Sequence, residues 1–304
     1  MKPPEPRFFP LSFRSFFGRN SGIVGALAGL GLWAITEKAG ATIMMAPGTT
    51  LPGNDYIAFG QSISNGRSLW VEGQYTNGQI LYFNAIRYNE RFAISINPDA
   101  HGTQGPFVPL FVGNGYNYNT SPGDTRPVVA VYHYTLNPGF DVSLFEFGGD
   151  PLPGQNIVIG QPPSFLSKVR VTGFGTYAIQ DGVLLAQDGN IRGFEMVMDR
   201  GGGGLDPANY ASAFVSPSVV NMLTKPGGAS SFDSGGTVED ETTGAVIGWV
   251  KSGSGGTGAA QTLNFGTFKD SGFDQWLAAT AQIPEPGSLF LLRAFSIYSV
   301  AYWA

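Results

Sequence analysis

Residues 233–250 read Asp-Ser-Gly-Gly-Thr-Val-Glu-Asp-Glu-Thr-Thr-Gly-Ala-Val-Ile-Gly-Trp-Val. Near its start Ser234 lies between Asp233 and two glycines, and the stretch ends in a β-branched and aromatic run. Glycines beside a serine let the backbone turn sharply and direct N–H groups toward one point. A run rich in β-branched and aromatic residues is typical of a strand. The stretch therefore predicts a tight serine-bearing turn followed by a β-strand.

Further strand-like runs lie upstream of this stretch. They are short, β-branched and aromatic, bounded by Gly, Pro or Asn, and occupy residues 68–73, 91–96, 107–112, 128–133 and 141–147. The chain contains 44 Gly and 21 Pro with only 13% charged residues, which favours short strands and turns over long helices. Regular spacing of such runs indicates an antiparallel barrel or sandwich. Residues 273–281 have a helical pattern.

Composition excludes several classes of function. The net charge of −5 comes without a basic run, which argues against nucleic acid as a partner. The chain has no cysteine, so disulfides, thiolate catalysis and cysteine-based zinc sites are excluded. Its 2 histidines leave two candidates for any mechanism that needs an imidazole. A length of 304 residues suits one large all-β domain or two packed halves.

The first 41 residues have the pattern of a secretory signal peptide. Arginines precede the apolar run 22–35, and Ala39-Gly40-Ala41 supplies small residues where a signal peptidase reads them. Cleavage after Ala41 would leave Thr42 as the new N-terminus. A buried core helix is the alternative interpretation of the apolar run.

Residues 283–304 begin with Ile283-Pro-Glu-Pro and continue as a largely apolar stretch. This tail resembles the PEP-CTERM sorting signal of Gram-negative bacteria, in which Pro-Glu-Pro precedes a membrane span and a basic cluster. It departs from that pattern because Arg293 lies inside the apolar stretch and no arginine cluster closes it. An Arg at mid-span costs about 2.5–3.5 kcal/mol on insertion scales, so the tail is a marginal anchor. An ordinary disordered terminus is the alternative.

A serine hydroxyl becomes a strong nucleophile when an imidazole accepts its proton and a carboxylate orients that imidazole. Two upstream segments supply these groups: residues 93–101 end in Ala-His101, and Asp141 opens the run Asp-Val-Ser-Leu-Phe-Glu-Phe. Together with Asp233-Ser234-Gly-Gly they resemble, in their order along the chain, the catalytic segments of trypsin-like serine proteases. Three other segments resemble that family's second-barrel glycine motif, cleft strand and closing helix: residues 171–176, 245–253 and 273–281.

The resemblance implies an all-β domain over residues 42–282, with two antiparallel six-stranded barrels that meet near residues 155–170 and a short C-terminal helix. It implies that Ser234 attacks a peptide carbonyl, that His101 serves as base and then acid, and that Asp141 orients His101. Backbone amides of Phe232 and Ser234 would form the oxyanion hole. Asp233 would be a buried structural acid that pairs with the mature N-terminal ammonium or another cation. The mechanism needs no metal or organic cofactor.

Departures from the family pattern bear on activity and specificity. Phe232 stands where the family has glycine, because the oxyanion-hole backbone favours a conformation that is costly for a residue with a side chain. Gly228 lies at the position where trypsin carries an aspartate that selects basic side chains. Gly253 on the cleft strand leaves the mouth of the pocket open. These residues predict a preference for uncharged, apolar side chains.

The same residues allow interpretations without catalysis. In the alternative interpretation, His101 is a turn histidine without a catalytic role. Asp141 would then be a residue that caps the end of a strand. A catalytically impaired trypsin-like domain would still bind peptide in the cleft, and a secreted β-rich surface or matrix protein would need no triad. The expected partners are a protein or peptide substrate, signal peptidase and the PEP-CTERM sorting machinery, with a transient membrane anchor. We expect an exported monomer in the cell envelope or outside a Gram-negative bacterium.

Overall fold

The computed structural model describes most of the chain between residues 53 and 282. The described ranges are 53–97, 106–136, 141–175, 177–179, 183–185, 188–199, 210–229, 234–254, 261–268 and 271–282. The proposed signal peptide and the PEP-CTERM-like tail therefore lie outside the described residues. Within them, no helix is long and apolar enough to cross a membrane.

The first barrel contains six antiparallel strands that close in the order β1-β2-β3-β6-β5-β4. The strands are β1 Ser68–Tyr75, β2 Ile80–Arg87, β3 Phe92–Ile96, β4 Phe107–Gly113, β5 Thr125–His133 and β6 Val142–Phe147. Its core is rich in aromatic side chains, with Phe83 in edge-to-face contact with both Phe107 and Phe145. Such contacts add to the free energy gained by burying the rings.

The second barrel also contains six antiparallel strands, closed in the order β10-β11-β14-β13-β12-β7. These strands are β7 Lys168–Gly173, β10 Arg192–Asp199, β11 Tyr210–Val215, β12 Thr237–Asp240, β13 Val246–Ser254 and β14 Gln261–Thr267; a small hairpin pairs β8 Tyr177–Ile179 with β9 Val183–Leu185. The prediction of two six-stranded antiparallel barrels is confirmed.

Two α-helices flank the barrels in the part of the chain that the structure describes. The predicted C-terminal helix is present as α2, Ser271–Thr280, and buries Phe273 and Leu277. The ring of Phe273 packs near Tyr134 of the first barrel and Trp249 of the second, so α2 joins the two. The other helix, α1 Gly53–Ser64, was not predicted. It packs so closely on β10 that a side chain at Gly60 would collide with the backbone of Arg192.

The barrels also meet through polar side chains. The Ser68 hydroxyl of β1 lies within hydrogen-bonding distance of the Thr172 and Thr237 hydroxyls of β7 and β12. β13 of the second barrel lies close to β3 of the first. This interface brings the turn before β12 against β2 and β3, which is where the candidate site is found.

Candidate active site

The predicted nucleophile, Ser234, lies in a tight turn directly before β12. The turn is held to β13 by two backbone hydrogen bonds, from Gly235 N to Val250 O at 2.8 Å and from Val250 N to Gly236 O at 2.8 Å. Gly235 has φ +81°, a left-handed conformation that favours glycine. Ser234 is half-buried, and its Oγ donates to the carbonyl of Lys251 at 3.4 Å. The glycine-bearing turn expected from the sequence is therefore present.

The same turn packs directly on the first barrel. Asn84 of β2 donates from its Nδ2 to the Ser234 carbonyl at 3.3 Å. A Cβ placed on Gly235 would collide with the Asn84 carbonyl oxygen and come within 2.8 Å of Ser95 Oγ, so a side chain here would push the turn away from β2 and β3. Close approach between the barrels thus gives Gly235 a second reason to be glycine.

Asp141 also lies beside β3, near the end of that strand. It immediately precedes β6, has φ +46° and is half-buried, with its Oδ1 shielded from solvent. Its carbonyl accepts a hydrogen bond from Asn97 N, one residue past the end of β3, at 3.2 Å. Ser95 of β3 therefore contacts the Ser234 turn. Asn97, just past the end of the strand, bonds to Asp141. The structure gathers two of the three predicted catalytic residues around the C-terminal end of β3, one from each barrel.

The other predicted residues of the catalytic centre lie outside the described part of the chain. These are the proposed base His101, the oxyanion-hole residue Phe232 and the structural acid Asp233. The remaining histidine, His133, ends β5. Its Nδ1 lies 2.8 Å from the hydroxyl of Ser143, the residue paired with it in β6.

Lys251 is a charged neighbour of the site that the sequence analysis missed. Its Nζ donates to the Tyr210 hydroxyl at 2.7 Å and lies 4.5 Å from the centre of that ring. Burial lowers the pKa of Lys251, while the negative charge of Asp141 acts in the opposite direction. A lysine ammonium is therefore part of the electrostatic environment of the predicted catalytic carboxylate. The run of β13 signalled a strand, but nothing in it signalled this contact.

The two predicted pocket glycines lie near each other in the structure. Gly253 of β13 packs on Ala229, the residue after Gly228, so closely that a Cβ placed on Gly253 would lie 3.1 Å from the Ala229 carbonyl oxygen. Gly228 itself packs on the side chain of Gln261 from β14, which would collide with any Cβ there. The Gln261 Oε1 is buried and has no hydrogen-bond partner among the described residues. A neutral carboxamide thus lies beside Gly228.

A buried acid holds the segment that leads to Gly228. Glu195 of β10 is 2% exposed, and its Oε2 accepts from the backbone N–H groups of Thr224 and Lys225 at 2.6 and 3.0 Å. Helix α1 adds the Tyr56 hydroxyl, which donates to the Pro226 carbonyl at 2.9 Å, and Asp55, which pairs with Lys225 at 3.3 Å. The segment that leads to Gly228 is therefore anchored from two directions.

Within the described ranges, no group of three or more His, Cys, Asp or Glu residues is placed so that it could hold a metal ion. The described part of the site instead places the Ser234 turn and the backbone of Asp141 close to the same end of β3.

Comparison with known proteins supports the fold. No family model matches the sequence, and no curated protein matches it. Among solved structures, the chain is similar to the scabies mite inactivated protease paralogue S-I1, with 15% identity, a TM-score of 0.53, and coverage of 73% of this chain and 97% of that one. It is also similar to a structure described as GrC, with 15% identity, a TM-score of 0.52, and coverage of 73% and 96%.

Both similar structures are chymotrypsin-fold serine proteases, and one of them is an inactive paralogue. The chain therefore has the trypsin-like fold: two closed six-stranded antiparallel barrels and a short C-terminal helix.

Proposed function

We propose that this chain is an exported serine endopeptidase that uses His101, Asp141 and Ser234 as its catalytic triad. Ser234 Oγ attacks the carbonyl carbon of a peptide bond while His101 accepts the hydroxyl proton. His101 then returns that proton to the leaving amine, which leaves an acyl group on Ser234, and a water activated by His101 hydrolyses it. Asp141 orients the imidazole and stabilises its charged form.

The observation that carries the proposal is the position of Ser234 and Asp141 around one strand end. Ser95 of β3 lies against the Ser234 turn, and Asn97, just past the strand, bonds to Asp141. His101 follows Asn97 by four residues, a segment that spans at most about 14 Å when fully extended. We propose that this short segment brings the imidazole of His101 to both groups.

The oxyanion of the tetrahedral intermediate would be bound by the backbone N–H groups of Phe232 and Ser234. The expected rate is reduced by the side chain at position 232, because losing one oxyanion donor costs roughly 100- to 1000-fold in kcat. We therefore propose a slow enzyme.

The proposed specificity follows from the neutral surroundings of Gly228. The side chain packed on it is the Gln261 carboxamide, which carries no charge to attract lysine or arginine. We propose cleavage after uncharged, apolar side chains.

Lys251 favours a second candidate function, a catalytically impaired domain that binds peptides in the cleft. The positive charge of Lys251 interacts with Asp141 and offsets part of the negative charge that would stabilise a histidinium. The inactivated scabies mite paralogue has the same fold, and this agrees with such a function. The two candidates share the cleft and differ in whether Ser234 reacts.

Labelling by a fluorophosphonate tests the proposal, since this reagent reacts with a serine activated by a base. The full chain should be labelled at Ser234, as identified by peptide mass spectrometry. Ser234→Ala should abolish labelling, and His101→Ala should slow it by about three orders of magnitude or more. A panel of peptide substrates that differ in one side chain then measures the proposed preference.

Two matched controls sharpen the result. His133→Ala removes the other histidine, and Ser218→Ala removes an exposed serine on another segment of the second barrel. Both variants should leave the labelling rate unchanged. Retained peptide affinity without labelling would support the impaired domain instead. Labelling that survives His101→Ala would refute the proposed triad.

Export, removal of residues 1–41 and sorting through residues 283–304 complete the proposal. Signal peptidase and the PEP-CTERM sorting machinery are the partners it requires, and the enzyme would act as a monomer in the cell envelope or outside the cell.

A further inference from the structure

Asn84 joins the first barrel to two separate segments of the second through one side chain. Its Oδ1 accepts from the N–H of Phe174, which follows β7, at 2.6 Å, and its Nδ2 donates to the carbonyl of Ser234 at 3.3 Å. The residue is 1% exposed. A carboxamide suits this position because one planar group supplies both an acceptor and a donor.

The backbone of Asn84 contributes to the same contact. Its carbonyl accepts from Ser95 Oγ and occupies the space that a side chain on Gly235 would need. Asn84 and Ser95 together therefore form the surface of the first barrel on which the Ser234 turn packs.

We propose that Asn84 is a positioning residue that sets where Ser234 Oγ lies relative to the base and the carboxylate. The inference rests on the proposed function. Asp141 and the segment that leads to His101 belong to the first barrel, whereas Ser234 belongs to the second. The nucleophile-to-base distance consequently depends on how the barrels are fixed at this point, and an error of about 1 Å in such a distance can cost on the order of 100-fold in rate.

Two substitutions separate the donor from the acceptor. Asn84→Asp keeps an oxygen for the Phe174 N–H but places a carboxylate oxygen against the Ser234 carbonyl, which repels it. Asn84→Leu removes both hydrogen bonds at similar volume. We expect kcat and the fluorophosphonate rate to fall roughly 10- to 100-fold in both variants, with KM for a peptide substrate little changed, as for a loss that affects orientation in the transition state.

The pH dependence of activity in Asn84→Asp distinguishes a positioning role from a purely structural one. A protonated carboxyl at position 84 regains an O–H that donates to the Ser234 carbonyl. The activity of Asn84→Asp relative to wild type should therefore rise as the pH falls toward the pKa of that carboxyl, whereas the ratio for Asn84→Leu should stay flat.

Asn117 provides the matched control. Its Nδ2 also crosses between the barrels, to Asn190 Oδ1 at 2.8 Å and to the Asp188 carbonyl at 3.2 Å, on segments that do not include Ser234. Asn117→Asp should lower the melting temperature without changing the labelling rate. Hydrogen exchange at the Phe174 amide, faster in Asn84→Leu than in wild type, reports the bridge independently of activity.

The outcomes are distinguishable. If the wild-type protein is labelled and both Asn84→Asp and Asn84→Leu react at the wild-type rate, only the positioning role of Asn84 is wrong. If the wild-type protein is not labelled, the proposed function is wrong, and so is the positioning role of Asn84. Hydrogen exchange at the Phe174 amide would still show whether the Asn84 hydrogen bonds form.

Discussion

The two barrels have the same strand order but use different side chains to hold themselves together. The first surrounds an aromatic core, in which Phe83, Phe107 and Phe145 meet edge to face. The second buries carboxylates within its strands, such as Glu195 at 2% exposure in β10 and Glu239 at 4% in β12. The first barrel also buries Glu146, but the partner of that acid is the Tyr132 hydroxyl on the neighbouring strand.

The buried acids of the second barrel bind to segments outside its strands, namely residues 224–225 and, through Arg67, helix α1. Glu195 accepts from the backbone of residues 224–225, next to the candidate pocket. Glu239 pairs at 2.7 Å with Arg67, whose guanidinium also donates to the Ile63 carbonyl at the end of α1 and to the Gly244 carbonyl. The comparison indicates that aromatic packing makes the first barrel a support, while buried acids of the second barrel hold helix α1 and the segment that leads to Gly228.

The largest expected effect comes from the aromatic core. Phe145→Ala should lower the free energy of unfolding by about 3–5 kcal/mol, because it removes a fully buried ring and leaves a cavity. Chemical denaturation measures the loss. Any protein that remains folded should react with a fluorophosphonate at the wild-type rate, and a slower rate would contradict the view of this barrel as a support.

The second effect depends on pH and on Glu239. Burial raises the pKa of Glu239 to about 7, although Arg67 and Arg170 oppose the rise. Because the folded-state pKa lies above the unfolded value, this group contributes stability that is complete below about pH 4 and is lost as the pH rises through 7. The loss should be on the order of 3–4 kcal/mol, since each pKa unit corresponds to about 1.4 kcal/mol.

Glu239→Gln is the matched variant for this measurement, because a glutamine keeps an oxygen for Arg67 but does not titrate. The difference in unfolding free energy between wild type and Glu239→Gln should change between about pH 4 and pH 8 and be flat outside that window. A difference that is constant with pH would show that Glu239 does not titrate as stated.

The smallest expected effect on stability, with a larger one on function, comes from Glu195→Gln. The variant keeps one acceptor oxygen but loses the charge that strengthens the bonds to Thr224 and Lys225, at a cost of about 1–2 kcal/mol. We expect KM for a peptide substrate to rise because the segment that leads to Gly228 loosens. Equal KM values for wild type and variant would argue that this acid serves stability alone.

The same contrast explains what could be predicted from the sequence. The strand-like runs found there fall on β1, β3, β4, β5 and β6 of the first barrel but only on β13 of the second. β10 reads Arg-Gly-Phe-Glu-Met-Val-Met-Asp, and its methionines and acid are better helix formers than strand formers. The burial of Glu195 in β10 depends on partners far along the chain, the backbone N–H groups of residues 224–225. No local sequence pattern predicts these partners.

The candidate site divides in the same way. The Ser234 turn was predictable because Gly-Gly after a serine is a local signal, and Asp141 because it opens an apolar strand. Asn84, Lys251 and Gln261 were missed, since each acquires its role only from a neighbour that is remote along the chain or lies on another element: the Ser234 carbonyl, the Asp141 carboxylate and Gly228. Helix α1 was missed as well, because its contacts are with β10 and with Pro226 rather than with adjacent sequence.

Local chemistry in the amino-acid sequence determined the all-β character of this protein, its tight serine-bearing turn and the closing helix, because turn residues and short-range patterns act over a few positions. The tertiary structure alone decided how the barrels meet, so that the end of β3 contacts both the Ser234 turn and Asp141 and the charge of Lys251 interacts with that acid. Contacts of this kind join residues that are remote along the chain, and their free energy exists only once both barrels have closed.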